Sequence, residues 1–221
     1  MNAADAERLQ QIVQVVEPKR WSDIFAIAGA DTRRCTKAVV AAAQGDDGAR
    51  RLDQFWARAT VRAFFATVEA LTFEMRLALR SARDAKLVNL TPAEYSLISE
   101  HAADLDDGGR PQERPRFLTV DRNFRFSYRL FAALFDSDVH LDVSGDGWRK
   151  FLSAVKVRNR ITHPKAPLDL DLTAGETTEL MEAITWYSEA MSSLFGSVAE
   201  LIERSDAIKK SAAGDDSRSA T

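Results

Sequence analysis

A single cysteine, Cys35, stands in the 221 residues. One thiol cannot close an intramolecular disulfide or build a cysteine-based zinc finger, so the fold must be held by packing rather than cross-links. Long apolar runs are equally scarce. None approaches the roughly 20 residues that a membrane-crossing helix needs. Met1 to Arg8 is polar and acidic, without the basic start and apolar core of a signal peptide. These absences set the expectation of a soluble protein in a reducing, cytoplasmic setting, with no membrane partner. The net charge is only −3, which excludes a polycation, so any contact with nucleic acid has to come from a local patch. Alternating strand patterns are nearly missing, and no internal repeat is found. What is present, a 45% hydrophobic fraction, is ordinary for a folded chain and supplies a sizeable core.

Helical periodicity takes the place of strands. Leu9, Ile12, Val13 and Val16 keep helical spacing over residues 4–17, and Pro18 stops the run. Residues 22–44 are alanine-rich and predict one or two short helices, with a turn at Gly45-Asp46-Asp47-Gly48. A long helix is expected over about 50–86, where Leu52, Phe55, Phe65, Val68, Leu71, Met75 and Leu79 fall mainly three or four apart. Thr91-Pro92-Ala93-Glu94 opens another with a capping box and a proline at the first helical position. Residues 105–116, with Gly-Gly and two prolines, read as a loop. From about residue 120 a helix aligns Phe124, Tyr128, Phe131 and Phe135. A loop over 136–147 then offers Ser144 or Asp146 as cap for a helix over 147–163, which Pro164 ends. In the following linker Leu168, Leu170 and Leu172 alternate with Asp169 and Asp171, predicting an extended segment. Thr173 and Glu176 form a second capping box. Behind it Leu180, Ile184, Tyr187, Met191, Leu194, Val198 and Leu201 repeat in steps of four and three, the core seam of a bundle. From Ser205 the chain turns polar and small, predicting disorder. The expected fold class is all-α: an antiparallel four- to five-helix bundle over 49–204, with an additional N-terminal helical segment over 1–48 and a disordered tail over 205–221.

Chemistry concentrates at the end of the helix that Pro164 stops. From Trp148 to Lys165 there is no acidic residue, yet Arg149, Lys150, Lys156, Arg158, Arg160, Lys165 and His163 all lie there. Such a stretch predicts a local positive patch of the kind that binds phosphate backbones. Asn159 and His163 are four apart and share a face, whereas Arg158 and His163 are about 140° apart on an ideal helix. They converge only near a frayed end or if the helix sits edge-on to a groove, and Pro164 supplies such an end by disfavouring helical geometry at His163. An imidazole there can act as general base or acid. A guanidinium beside it can hold a phosphate through two hydrogen bonds and stabilise developing charge. Together they suffice for attack of an RNA 2′-hydroxyl on its own phosphodiester without a metal, leaving a 2′,3′-cyclic phosphate. The same basic residues also suit a helix C-terminus for dipole reasons alone.

The string Val157-Arg158-Asn159-Arg160-Ile161-Thr162-His163-Pro164 closely resembles the signature of the HEPN superfamily. That signature is an arginine, usually followed by a polar residue such as asparagine, with a histidine four to six residues after the arginine. Arg158, Asn159 and His163 match it, and the resemblance covers roughly the last two thirds of the chain. It implies a metal-independent endoribonuclease built on a four- to five-helix bundle, with RNA as substrate and no cofactor. Catalysis would fall to Arg158 and His163 with Asn159, and RNA contacts to Arg149, Lys156, Arg160 and Lys165. Members usually form homodimers in which two Arg/His sets face one cleft. Many act as toxins or in defence against phage, which implies an antitoxin or other protein partner, and some are inactive modules for binding or dimerisation. Family members often carry an acidic residue on the long first helix that orients the arginine. Glu69 is the candidate here, against the alternative of a solvent-facing helical charge. One branch is regulated at a tyrosine two residues beyond the histidine; Lys165 stands at that position, which puts such control in doubt.

The remaining candidates are weaker. Arg122, Arg125 and Arg129 either extend an RNA groove or solvate a helix face. Asp136, Asp138 and His140 resemble metal ligands only loosely, so no metal is expected. Trp148, Trp186 and Tyr187 read as core anchors, and His101 and His140 as surface residues.

Overall fold

A computed structural model describes residues 1–43 and 54–218. Among these the fold is all-α, with seven α-helices and one two-stranded sheet. The helices are α1 (Ala3–Val16), α2 (Pro18–Ala43), α3 (Gln54–Asp84), α4 (Pro92–Ser99), α5 (Val120–Leu134), α6 (Asp146–Thr162) and α7 (Ala174–Arg218). The strands β1 (His101–Leu105) and β2 (Pro111–Pro115) lie between α4 and α5. The turn at Gly45–Gly48 and the apolar Leu52 fall outside the described residues.

Several local signals act as expected. Thr91 and Glu94 form the capping box of α4, and Thr173 and Glu176 exchange the same reciprocal bonds at the start of α7. Pro18 separates two helices: Glu17 caps α1 in a left-handed conformation, and the proline takes the first position of α2, where its missing N–H costs nothing.

Other expectations need correction. Residues 22–44 do not hold short pieces; α2 is one helix of 26 residues, for which its alanines have ample propensity. Residues 105–116 are not wholly a loop, because 101–105 pair antiparallel with 111–115. The prolines that argued against strand sit at harmless positions. Backbone bonds from Asp106 to Arg110 and from Arg116 to Glu100 fix the bonded pairs, so Pro111 and Pro115 occupy places where an N–H would point away from β1. Gly109, at φ +73°, supplies the left-handed residue that closes the hairpin. Neither Ser144 nor Asp146 caps α6. Gly145 does, and Asp142 orders the turn before it by accepting from the Ser144 and Gly145 N–H groups and the Ser144 hydroxyl. The linker after α6 is not extended, since Pro167–Leu170 form a 3₁₀ turn. Phe55 lies off the buried stripe of α3 and is 63% exposed. Of the tail expected over 205–221, residues 219–221 lie outside the described residues and 205–218 are helical. They continue α7, and Ser205 is buried where its hydroxyl accepts from Gln10 at 2.7 Å.

Cα packing divides the chain into two compact units. The first comprises Met1–Pro18, Phe73–His140 and Ser193–Thr221; the second comprises Lys19–Thr72 and Leu141–Ser192. In the first, Phe124, Tyr128 and Phe131 of α5 and Phe135 at its C-cap are all buried, as their spacing predicted. Phe131 lies 5.1 Å from Phe135 and 6.5 Å from Phe195 between ring centroids. Burial pushes the Tyr128 phenol up to about 12.

The second unit carries the motif helix, and its core is aromatic. Phe151 of α6 stacks on Trp148 at 5.4 Å and on Tyr187 at 6.4 Å, and meets Phe64, Phe65 and Trp186 at 6.2, 6.0 and 5.5 Å. The surroundings are dry enough to push the Tyr187 phenol far above its ordinary range. Thr32 of α2 and Thr67 of α3 join hydroxyls at 3.0 Å inside this unit, so these two buried groups answer each other. Trp186 also covers Gly147. An alanine Cβ at 147 would fall 2.8 Å from the Trp186 Cβ and closer still to its indole ring. Gly147→Ala is expected to destabilise the protein by about 1–3 kcal/mol through overpacking, read as a lowered urea midpoint with unchanged slope.

Candidate functional site

The motif sits where α6 ends. One face of that helix is fixed in the core by Trp148, Phe151, Ala154, Val155, Val157 and Ile161. Arg149, Lys156 and Asn159 lie on the exposed side, and His163 follows them there. At about 100° per residue these four positions span an arc of about 80°. The last helical bond, from the His163 N–H to the Asn159 carbonyl at 3.1 Å, brings the chain to His163. At His163 the backbone leaves the helix, with φ −127° and ψ 61°, as the following proline requires. Its side chain is exposed and has no hydrogen-bond or ion-pair partner among the described residues.

Arg158 is positioned from two sides. Its Nη2 donates to Oε1 of Glu69 on α3 at 2.6 Å, and its Nη1 donates to Oδ1 of Asn159 at 3.1 Å. The anticipated partnership of Glu69 with Arg158 is therefore present in the geometry. The guanidinium side chain is 26% exposed. Held by a carboxylate and an amide, it keeps further N–H groups that can meet a phosphate oxygen.

The chain beyond the motif is pinned rather than loose. Asp169 accepts from the backbone N–H groups of Lys165 and Ala166, which hold its carboxyl below the usual range, with the Arg160 and Lys165 charges adding to the effect. Arg160 donates from Nη1 to the Asp169 and Asp171 carbonyls at 3.2 and 2.8 Å, and from Nη2 to Glu176 at 2.7 Å. From α3, Gln54 exchanges two bonds of 2.8 Å with the Leu172 backbone, and Arg58 reaches the Leu170 carbonyl at 3.1 Å. This support of Asp169, Gln54 and Arg58 is not legible in the spacing. Gln54 and Arg58 act across more than a hundred residues.

The positive patch expected from the acid-free stretch is reduced in three dimensions. Arg149 pairs with Asp146 at 2.9 Å, Lys150 with Glu179 and Glu182 at 3.5 and 3.4 Å, Arg158 with Glu69 and Arg160 with Glu176. Asp146 at the start of α6 and acidic residues of α3 and α7 supply what the stretch itself lacks. Of its cations only Lys156 and Lys165 have no ion-pair partner among the described residues. Arg149, Lys156 and Lys165 are exposed, so three of the four residues expected to contact RNA are accessible. Arg160 is instead a half-buried clamp on the loop. Arg160→Ala is expected to cost about 1–3 kcal/mol, the range for charge-assisted bonds. Arg160→Lys would restore little, since an ammonium cannot span two carbonyls and a carboxylate as a planar fork does. Thermal unfolding of both variants checks this.

No group of three or more His, Cys, Asp or Glu residues is placed to hold a metal ion among the described residues. Asp136, one of the loosely ligand-like set, is engaged by Arg8 at 2.6 Å. No described helix is long and apolar enough to cross a membrane. Set against known proteins, the chain matches no family model, no curated protein and no solved structure.

Proposed function

We propose that this protein is a metal-independent endoribonuclease of the HEPN type, built on a four- to five-helix bundle and acting as a homodimer. The observation that carries the reading is the arrangement at the end of α6. Arg158 is held by Glu69 and Asn159, and an unengaged His163 stands at the helix mouth. In this reading the imidazole takes the proton from an RNA 2′-hydroxyl, which attacks the adjacent phosphorus. The guanidinium binds the non-bridging oxygens as charge builds on them. The 5′-oxygen leaves and receives the proton back from the imidazolium by way of solvent, giving a 2′,3′-cyclic phosphate and a 5′-hydroxyl and restoring the neutral base. Lys156, Lys165 and Arg149 would meet neighbouring phosphates. A role as a toxin or in defence against phage, with an antitoxin or similar partner, follows from the HEPN resemblance alone.

A second reading, a helical module that binds without turnover, is favoured by one observation: acidic partners balance four of the six cations in the motif stretch. Incubating the purified protein with total RNA, with and without EDTA, separates the two. The ribonuclease reading requires cleavage that EDTA leaves intact and that His163→Ala abolishes. Salt-sensitive binding without products supports the module.

A further inference from the structure

A second group of cations without partners lies in the first unit. Between Arg110 and Arg129 six arginines stand against two acidic residues, Glu113 and Asp121. Arg114 is paired with Asp104 at 2.9 Å and Arg129 with Glu94 at 3.3 Å. Arg110, Arg116, Arg122 and Arg125 are exposed, and their side chains have no hydrogen-bond or ion-pair partner among the described residues. Arg122, Arg125 and Arg129 follow in steps of three and four on α5. They fall within an arc of about 60° and span about 10 Å of helix axis. The opposite face of α5, with Phe124, Tyr128 and Phe131, is fully buried, so the stripe is rigidly presented. Just before the helix, next to Arg116, Phe117 is 84% exposed, more than Phe55 at 63% or Phe73 at 48%.

Unpaired guanidinium groups and a bared aromatic ring within ten residues of one another match one ligand chemistry closely. Single-stranded nucleic acid offers phosphates to the arginines and unstacked base faces to the ring. An acidic peptide would answer the charges but has no flat face to lay on Phe117. We propose that Arg116, Phe117, Arg122 and Arg125 form a binding surface for single-stranded nucleic acid, tolerant of sequence. The surface goes beyond the ribonuclease reading and does not depend on it.

The test uses the full chain and fluorescence anisotropy with a labelled 20-nucleotide oligodeoxythymidylate. DNA lacks the 2′-hydroxyl, so a failure of the ribonuclease reading leaves this measurement untouched. Binding is expected to weaken with salt, with a log–log slope of about −0.7 for each phosphate engaged. Arg116→Gln/Arg122→Gln/Arg125→Gln should weaken binding at least about tenfold and flatten the slope by about two. Phe117→Ala should weaken it about tenfold with the slope unchanged, because stacking releases no counterions. Phe117→Leu, which keeps apolar bulk without a flat face, should behave like Phe117→Ala. All four positions are exposed, so circular dichroism should be that of the wild type. Absence of binding, affinity indifferent to these changes, or displacement by polyglutamate as readily as by unlabelled oligonucleotide would overturn the proposal.

Discussion

Replacing His163 with alanine is expected to lower the rate of RNA cleavage by about 10²–10⁴, the range for a lost general acid–base group, while leaving the melting temperature where it was. The second half follows from exposure and from the lack of any partner for the imidazole among the described residues: nothing in the fold leans on it. Arg158→Ala should lose about 10²–10³ in rate, as when a donor to developing charge is removed. Its effect on stability should be small, because the Glu69–Arg158 pair is half exposed and such pairs are worth about 0–1 kcal/mol. Arg158→Lys should not rescue activity, since an ammonium cannot bind Glu69, Asn159 and a phosphate in one plane. Glu69→Gln keeps a hydrogen-bond acceptor and should cost only about tenfold, through orientation of the guanidinium. Single-turnover cleavage of a defined RNA, with the cyclic phosphate end identified, measures all four. Cleavage by the His163→Ala protein at the wild-type rate sinks the assignment.

How far the sequence could be read depended on how local each determinant is. Capping boxes at Thr91 and Thr173 act over three residues and are visible as strings. The aromatic row of α5 and the seam of α7 are periodic, and periodicity survives without knowledge of partners. The hairpin was hidden because its prolines are compatible with a strand only in one register, and register is a tertiary fact. The last turns of α7 were hidden because burial of Ser205 against Gln10 joins residues 195 apart. The electrostatics of the motif stretch misled for the same reason. An acid-free run of sequence says nothing about carboxylates arriving from α3 and α7, and Glu69, Glu176, Glu179 and Glu182 all arrive there. Glu69 lies against Arg158 across 89 residues, and it was the family resemblance rather than the spacing that made it a candidate. Arg160 shows the converse: its charge was read and its clamp was not, because its acceptors are mostly backbone carbonyls that no sequence pattern marks.

The largest effect on stability is expected from Phe151→Ala. Phe151 is wholly buried and its ring meets five aromatic neighbours from α3, α6 and α7, within 5.4 to 6.4 Å. Truncation removes the transfer energy of the ring and leaves a cavity that stiff, mutually packed aromatics cannot collapse to fill. The loss should therefore reach about 3–5 kcal/mol, a fall in melting temperature on the order of 10 °C for a chain of this size. Loss of near-ultraviolet circular dichroism should track it, because the same packing orients Trp148, Trp186 and Tyr187. Phe151→Leu keeps most of the volume and should cost less than half as much. The pair of variants also separates scaffold from chemistry. Seven residues on from Phe151, almost two helical turns, Arg158 depends on α6 holding its place opposite Glu69. If RNA cleavage is measured, Phe151→Ala should lose it in proportion to the unfolded fraction and recover it on cooling, whereas His163→Ala should stay impaired by the same factor at every temperature. A Phe151→Ala protein that melts with the wild type would refute the aromatic core as the support of the motif helix.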